Sequence, residues 1–340
     1  MRNHEVSQIQ PLLDEKGNLR EPGWSRSLVQ QYDRTKIKAS KFRIKEWDYY
    51  LVLSQHFAGA FTISDDGYIG LQSVSLLLFD ETTWEHTETV LNAFPMGKLK
   101  LPSDSSKGNT IYEDKRLKMR FTLEEGKRHI TCHYDQFCDG KPFDCDIQLE
   151  QPRMDSMVIA TPWDKDKHFY YNQKINCMRA SGYMEFDGKR YTFDPSTDFG
   201  TLDWGRGVWT YDNTWYWGSG NCDLNGNVFG FNIGYGFGNT KAATENVLFY
   251  NGKVHKLDDI TFHIPQSGYM DPWTFTSSDG RFEMDFVPVL DRAANLDFKI
   301  LISDQHQVFG KISGTAILDD GTKITIRDIM CFAEKVHNRY

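Results

Sequence analysis

The sequence predicts an all-β protein whose antiparallel strands close as two barrels in tandem, with few short helices. Three observations carry that expectation. Asn-Gly or Asp-Gly pairs recur at 66–67, 139–140, 187–188, 225–226, 251–252, 279–280 and 320–321. Such pairs supply the positive φ angles that tight hairpin turns need. The segments between them alternate with a period of two. The 340 residues also include 9 Trp, 16 Tyr and 23 Phe, side chains favoured in strands.

Taken in order, the chain opens without an apolar signal core in Met1–Gln8. Next comes a basic stretch, Arg34, Lys36, Lys38, Lys41, Arg43 and Lys45. At strand spacing it reads as a charged edge or outer face, or as a surface for an anionic ligand or membrane. A short helix is expected near Thr82–Leu91. Strands are expected at Val228–Phe237, Ala243–Tyr250, Lys253–Ile264, Arg281–Val287, Leu296–Ser303, Gln307–Leu318 and Lys323–Phe332. In the first of these, Phe229, Phe231, Ile233, Tyr235 and Phe237 share one face. Closely spaced strands without helical periods between them indicate a meander, sandwich or barrel. Pro152, Pro162 and the polar 164–167 stretch suit a linker, which divides the chain into barrels at 1–165 and 166–340, each of a size to hold a small ligand.

Net charge is −8, which argues against a dedicated nucleic-acid binder. The longest apolar run, around Val74–Phe79, falls far short of the ~20 residues of a spanning helix. Six cysteines occur without a CxxC, and no Asn-x-Ser/Thr sequon is present. These features point to a cytoplasmic protein with reduced thiols. Gly234-x-Gly236-x-Gly238 lacks the last glycine of a dinucleotide turn, Asn239 standing there. Asp223-x-Asn225-x-Asn227 begins like a calcium loop, yet Val228 and Gly234 occupy its glycine and glutamate positions. His129, Cys132, His133 and Cys138 match no zinc spacing. No cofactor and no metal are expected.

Residues 198–221 stand apart, with Trp204, Trp209, Trp215 and Trp217 close together. Trp215 and Trp217 share a strand face. Asp203 and Arg206 flank Trp204 in what reads as a Gly-bounded turn. A carboxylate beside a guanidinium in aromatic surroundings is either a desolvated acid or a rigid ion pair. The segment then either plugs a barrel end, Trp stacking on Arg, or walls a ligand pocket. Glu245 and Asn246 are adjacent, so on a strand only one faces a pocket; Glu245 is the candidate to face the tryptophans.

Several motifs together suggest a family. They are Gly23-Trp24-Ser25-Arg26, the run LDWGRGVW at 202–209, Trp215-x-Trp217-Gly218, Thr244-Glu245-Asn246, Pro272-Trp273 and the ending FAEKVHNRY. Over nearly its whole length the chain resembles a bacterial domain-of-unknown-function family. More remotely it is similar to AttH-like and carotenoid-hydratase (hydroxyneurosporene synthase) proteins. That resemblance implies two lipocalin-like β-barrels and suggests hydratase, isomerase or lyase chemistry at a carbon–carbon double bond of a lipophilic small molecule. In that reading Asp203 is the acid, Arg206 orients it, Glu245 is a second carboxyl, and Trp204, Trp209, Trp215, Trp217, Phe231 and Asn246 line the ligand. A carrier for a hydrophobic ligand, or a protein that recognises or cleaves sugars with Asp203 and Glu245, would use the same residues. Fold alone does not choose among these.

Overall fold

A computed structural model describes residues 2–297 and 302–339. Short strands β1 (Gln10–Pro11), β2 (Gly23–Ser25) and β3 (Gln30–Gln31) precede the long ones. Then come β4 (Ile44–Leu53), β5 (Phe57–Asp65), β6 (Ile69–Leu78), β7 (Trp84–Ala93), β8 (Thr110–Glu113), β9 (Leu117–Glu124), β10 (Lys127–Cys138) and β11 (Lys141–Glu150). The first sheet is completed by β12 (Met157–Pro162), β13 (Phe169–Phe186), β14 (Lys189–Phe193) and β15 (Phe199–Val208). Its order is β7-β6-β5-β4-β15-β13-β11-β10-β9-β8, with β12 and β14 branching from β13 and β2 pairing β12.

The second sheet is built from β16 (Asp212–Leu224), β17 (Asn227–Tyr235), β18 (Val247–Tyr250), β19 (Lys253–Lys256), β20 (Ile260–His263), β21 (Trp273–Ser277), β22 (Phe282–Asp297), β23 (Ile302–Ile317) and β24 (Lys323–Arg339). Its order is β19-β18-β17-β16-β24-β23-β22-β21-β20. Each sheet is antiparallel and curls into a half-barrel, so the tandem β architecture is as expected.

Several local expectations change. Thr82–Leu91 is not helical: Thr87 and Thr89 on β7 meet Ser75 and Ser73 of β6 through hydroxyl hydrogen bonds of 2.8 and 2.9 Å. Cross-strand pairing outweighs helix propensity there. The basic stretch is not a strand before Ile44. It forms two 3-10 turns, Arg34–Lys36 and Lys41–Arg43, the first capped by Asp33, which accepts from the Thr35 amide. The expected strand Leu296–Ser303 falls largely on residues 298–301, outside the described residues. The sheets change over between Val208 and Asp212, beyond the 152–167 stretch, because β13 and β15 complete the first sheet.

Three apolar clusters follow from strand alternation. One fills the first sheet (Tyr50, Phe61, Leu202, Trp204) and one the second (Phe231, Ile233, Trp273, Phe282). The other lies between the sheets, where Tyr49, Leu51, Trp209, Trp217, Phe309 and Phe332 meet. Strand β15 is buried on both faces, which places its residues at the join.

Candidate functional site

All of the LDWGRGVW run but Trp209 lies in β15, and strand parity sorts its chemistry. Leu202, Trp204, Arg206 and Val208 point into the first sheet's interior. The Arg206 guanidinium lies 4.2 Å from the Trp204 ring centroid and pairs with Asp48 at 3.0 Å. It also donates to the carbonyls of Trp47 (2.7 Å), Gly205 (2.8 Å) and Pro102 (2.7 Å). Five N–H donors in a rigid fork suit such a carbonyl clamp. Arg206 thus stacks on Trp204 while Asp48 and three carbonyls hold its guanidinium. Asp203 and Arg206 are not an ion pair; three residues apart on one strand, they face opposite ways.

The other face of β15 carries Asp203, Gly205 and Gly207 towards the second sheet, and Trp209, just past the strand's end, joins them there. Glycine at 205 is a packing requirement, since a Cβ there would lie 2.0 Å from the Trp47 ring. Around Trp209 the rings of Trp47, Trp163, Tyr170 and Trp215 pack at centroid distances of 5.5 to 5.8 Å. Trp47, Trp163 and Trp215 are half-buried, so this aromatic cluster reaches from solvent to the seam.

Deeper in the seam the side chains become polar. Across the first sheet, register aligns Lys174, Asp203 and Tyr49. Across the second it aligns Trp217, Glu334, Gln307 and Arg292. Lys174 Nζ sits 2.9 Å from Asp203 Oδ2 and 3.8 Å from the Trp217 ring centroid. Asn172 donates to Asp203 Oδ1 at 2.6 Å, so both carboxylate oxygens are engaged. Glu334 accepts from Trp215 Nε1 and Gln307 Nε2, each at 2.9 Å. Burial pushes the Glu334 carboxyl above its ordinary range, against the pull of these donors.

Glu245 enters from an irregular segment before β18. Asn246 fixes that segment by accepting from the Gly234 amide at 2.7 Å and donating to Asp258 O at 2.8 Å. Lys256 Nζ reinforces it through Thr244 Oγ1 (2.6 Å) and Asn246 O (2.7 Å). Tyr170 donates its hydroxyl to Glu245 Oε2 at 3.3 Å, while buried Oε1 has no hydrogen-bond partner among the described residues. Burial, with Lys174 opposing and Asp203 adding to it, raises the Glu245 pKa from 4.5 to about 7. Burial likewise lowers Lys256 from 10.5 to about 7.

The structure therefore brings together Asp203, Glu245, Trp209, Trp215 and Trp217, with Asn246 behind them. Arg206 and Trp204 lie on the far side of β15. Phe231 also faces away: opposite Gly220 on β16, it fills the second sheet and meets Phe282 at 5.2 Å. The expected apolar pocket inside a barrel is thus replaced by a closed, partly polar seam between sheets. Surface clefts of about 730 Å³ beside His56 and Tyr191, and 580 Å³ beside Tyr32 and Lys107, involve none of these residues.

Sequence reasoning missed Lys174, Asn172, Tyr170, Tyr49, Gln307 and Glu334. Part of the signal was present: Tyr170, Asn172, Lys174 and Asn176 alternate with Phe169, Tyr171 and Ile175. His129 and His133 pair with Asp146 (2.7 Å) and Asp144 (2.8 Å), and all six cysteines are free thiols. Among the described residues, no helix is long and apolar enough to cross a membrane.

Two curled antiparallel sheets, joined through a buried seam of carboxyls, a lysine and tryptophans, define a tandem lipocalin-like β protein. The chain belongs to the domain-of-unknown-function family DUF2804, whose model matches residues 3–340. A search of curated sequences returns no match. Among solved structures, CghA is similar over 98% of this chain and 97% of its own, at 9% identity and a TM-score of 0.52. Kievitone hydratase from Nectria haematococca is similar over 87% and 88%, at 11% identity and a TM-score of 0.50. A protein assigned as AttH from Nitrosomonas europaea covers 90% and 96% at 11% identity, with a TM-score of 0.49. At these identities the likeness to CghA and kievitone hydratase describes the fold alone.

Proposed function

We propose that the seam between the sheets binds a lipophilic small molecule in the cytoplasm and performs acid–base chemistry at a carbon–carbon double bond. The observation that carries this reading is Glu245. It is a fully enclosed carboxyl with a pKa near 7, beside an ion pair and the Tyr170 hydroxyl, with one oxygen that has no hydrogen-bond partner among the described residues. A group poised near neutral pH donates and recovers a proton with little penalty. Glu245 protonates the double bond; the ring face of Trp215 stabilises the developing cation. Water adds to that cation, and the released proton returns to Glu245.

The role foreseen for Asp203 passes to Glu245, because both oxygens of Asp203 are already held by Asn172 and Lys174. Asp203 and Lys174 position the reacting end, and Trp209 with Trp215 admits the apolar body. Arg206 and Trp204 act at a distance, by packing on the far side of β15. One relative of the same fold is named a hydratase, which agrees with this reading without carrying it.

A non-catalytic carrier is the second reading, favoured by the closure of the seam, where Lys174 is 1% exposed. The test combines native mass spectrometry of freshly purified protein with turnover by Glu245→Gln on the molecule that co-purifies. Loss of turnover with ligand retained supports catalysis. A ligand that wild type never converts supports the carrier. Tryptophan emission unmoved by every long-chain or isoprenoid compound tried would overturn both.

A further inference from the structure

The basic stretch takes no part in the seam, and its placement has a separate meaning. The two 3-10 turns leave Lys36, Lys38 and Lys41 exposed, and Phe42 stands 52% exposed on the second turn. Beside it runs the 94–100 loop. Here Phe94, at φ 51, is 58% exposed, with Lys98 and Lys100 also in solvent. A bulky residue in the left-handed region is unfavourable, so the fold holds this ring outward at a cost. The two loops are contiguous. Met96 N donates to Gly67 O at 3.0 Å and Phe94 N to Tyr68 O at 2.8 Å. A Cβ on Gly67 would lie 3.0 Å from the carbonyls of Lys41 and Phe42. Arg43 lies 5.1 Å from the centroid of Tyr211, itself 44% exposed, and Arg43 O accepts from the Trp209 amide at 2.9 Å. The patch therefore ends at the aromatic mouth of the seam.

We propose that this rim docks the protein peripherally on a bilayer containing anionic lipid. The charges are complementary: the protein carries −8 overall, yet the sequence from Arg34 to Lys45 contains no acid. Of the nearby acids, Asp33 serves as a cap and Glu46 is held by Tyr32 and Arg34, while Glu15 is exposed beside Lys38, whose ammonium donates to the Glu15 carbonyl. Two separate phenyl rings flanked by lysines match an interface in which rings dip below the headgroups while ammonium groups stay among the phosphates.

The test is co-sedimentation of the full chain with phosphatidylcholine vesicles, with and without one-third phosphatidylglycerol, at low and high salt. Binding is expected only with the anionic lipid and should fall as salt rises. Phe42→Ser with Phe94→Ser should weaken partitioning roughly tenfold or more, since buried phenyl area is lost. Lys36→Glu, Lys38→Glu and Lys41→Glu together should abolish it, circular dichroism remaining that of wild type. No sedimentation with anionic vesicles, equal sedimentation with neutral ones, or unchanged binding by both variants would overturn the proposal. A wild-type dimer dissociated by the phenylalanine changes, without vesicle binding, would also overturn it. None of these readouts depends on turnover.

Discussion

Replacing Glu245 by glutamine tests the seam's electrostatics through stability. Raising this carboxyl from 4.5 to about 7 penalises its ionised form by about 3 kcal/mol. The direction follows from proton binding. Between pH 4.5 and 7 the folded state keeps a proton that the unfolded chain has released, so stability falls as pH rises through that window. Lys256 acts elsewhere: lowered from 10.5 to about 7, it adds stability as pH rises between those values. A glutamine side chain cannot ionise and can still accept the Tyr170 hydroxyl. Urea unfolding of both proteins at pH 4.5 and 7.5 should give Glu245→Gln a relative gain of about 3 kcal/mol at the higher pH. A gain that is equal at both pH values, or larger in acid, would refute the argument.

Other consequences can be measured in the same way. Lys174→Met strands Asp203 in the seam and should cost about 3–5 kcal/mol in urea unfolding, whereas Lys174→Met with Asp203→Leu should recover much of it. Gly205→Ala drives a methyl into the Trp47 ring and should cost about 1–3 kcal/mol, with altered tryptophan emission.

The fold is legible where local chemistry decides it. The Asn-Gly and Asp-Gly pairs mark real hairpins: Asn225 and Asn251 have φ 56 and 47, and each is followed by a positive-φ glycine. Alternation in 228–237 places Phe231 and Ile233 on one buried face. The site is legible only in part. Gly205 and Gly207 suggest a turn, whereas they are the small face of a strand that Trp47 and Phe169 approach closely. Read as a strand, the same run separates Asp203 from Arg206 by parity. Lys174 could not be assigned to Asp203, because that pairing depends on the register between β13 and β15, which local sequence does not encode. The proline-bounded stretch at 152–167 reads as a junction because prolines and charges mark linkers and loops within a sheet alike.

The central claim is that ligand enters between the sheets rather than inside either one. A long-chain diazirine probe, photolysed with the full chain and mapped by peptide mass spectrometry, tests it most directly. Label on peptides carrying Asp203, Trp209, Trp215, Trp217 or Glu245 is the expected result. Label concentrated on Phe231, Phe282 and Trp273 in the second sheet's interior, or on Phe61 and Tyr50 in the first, would contradict it.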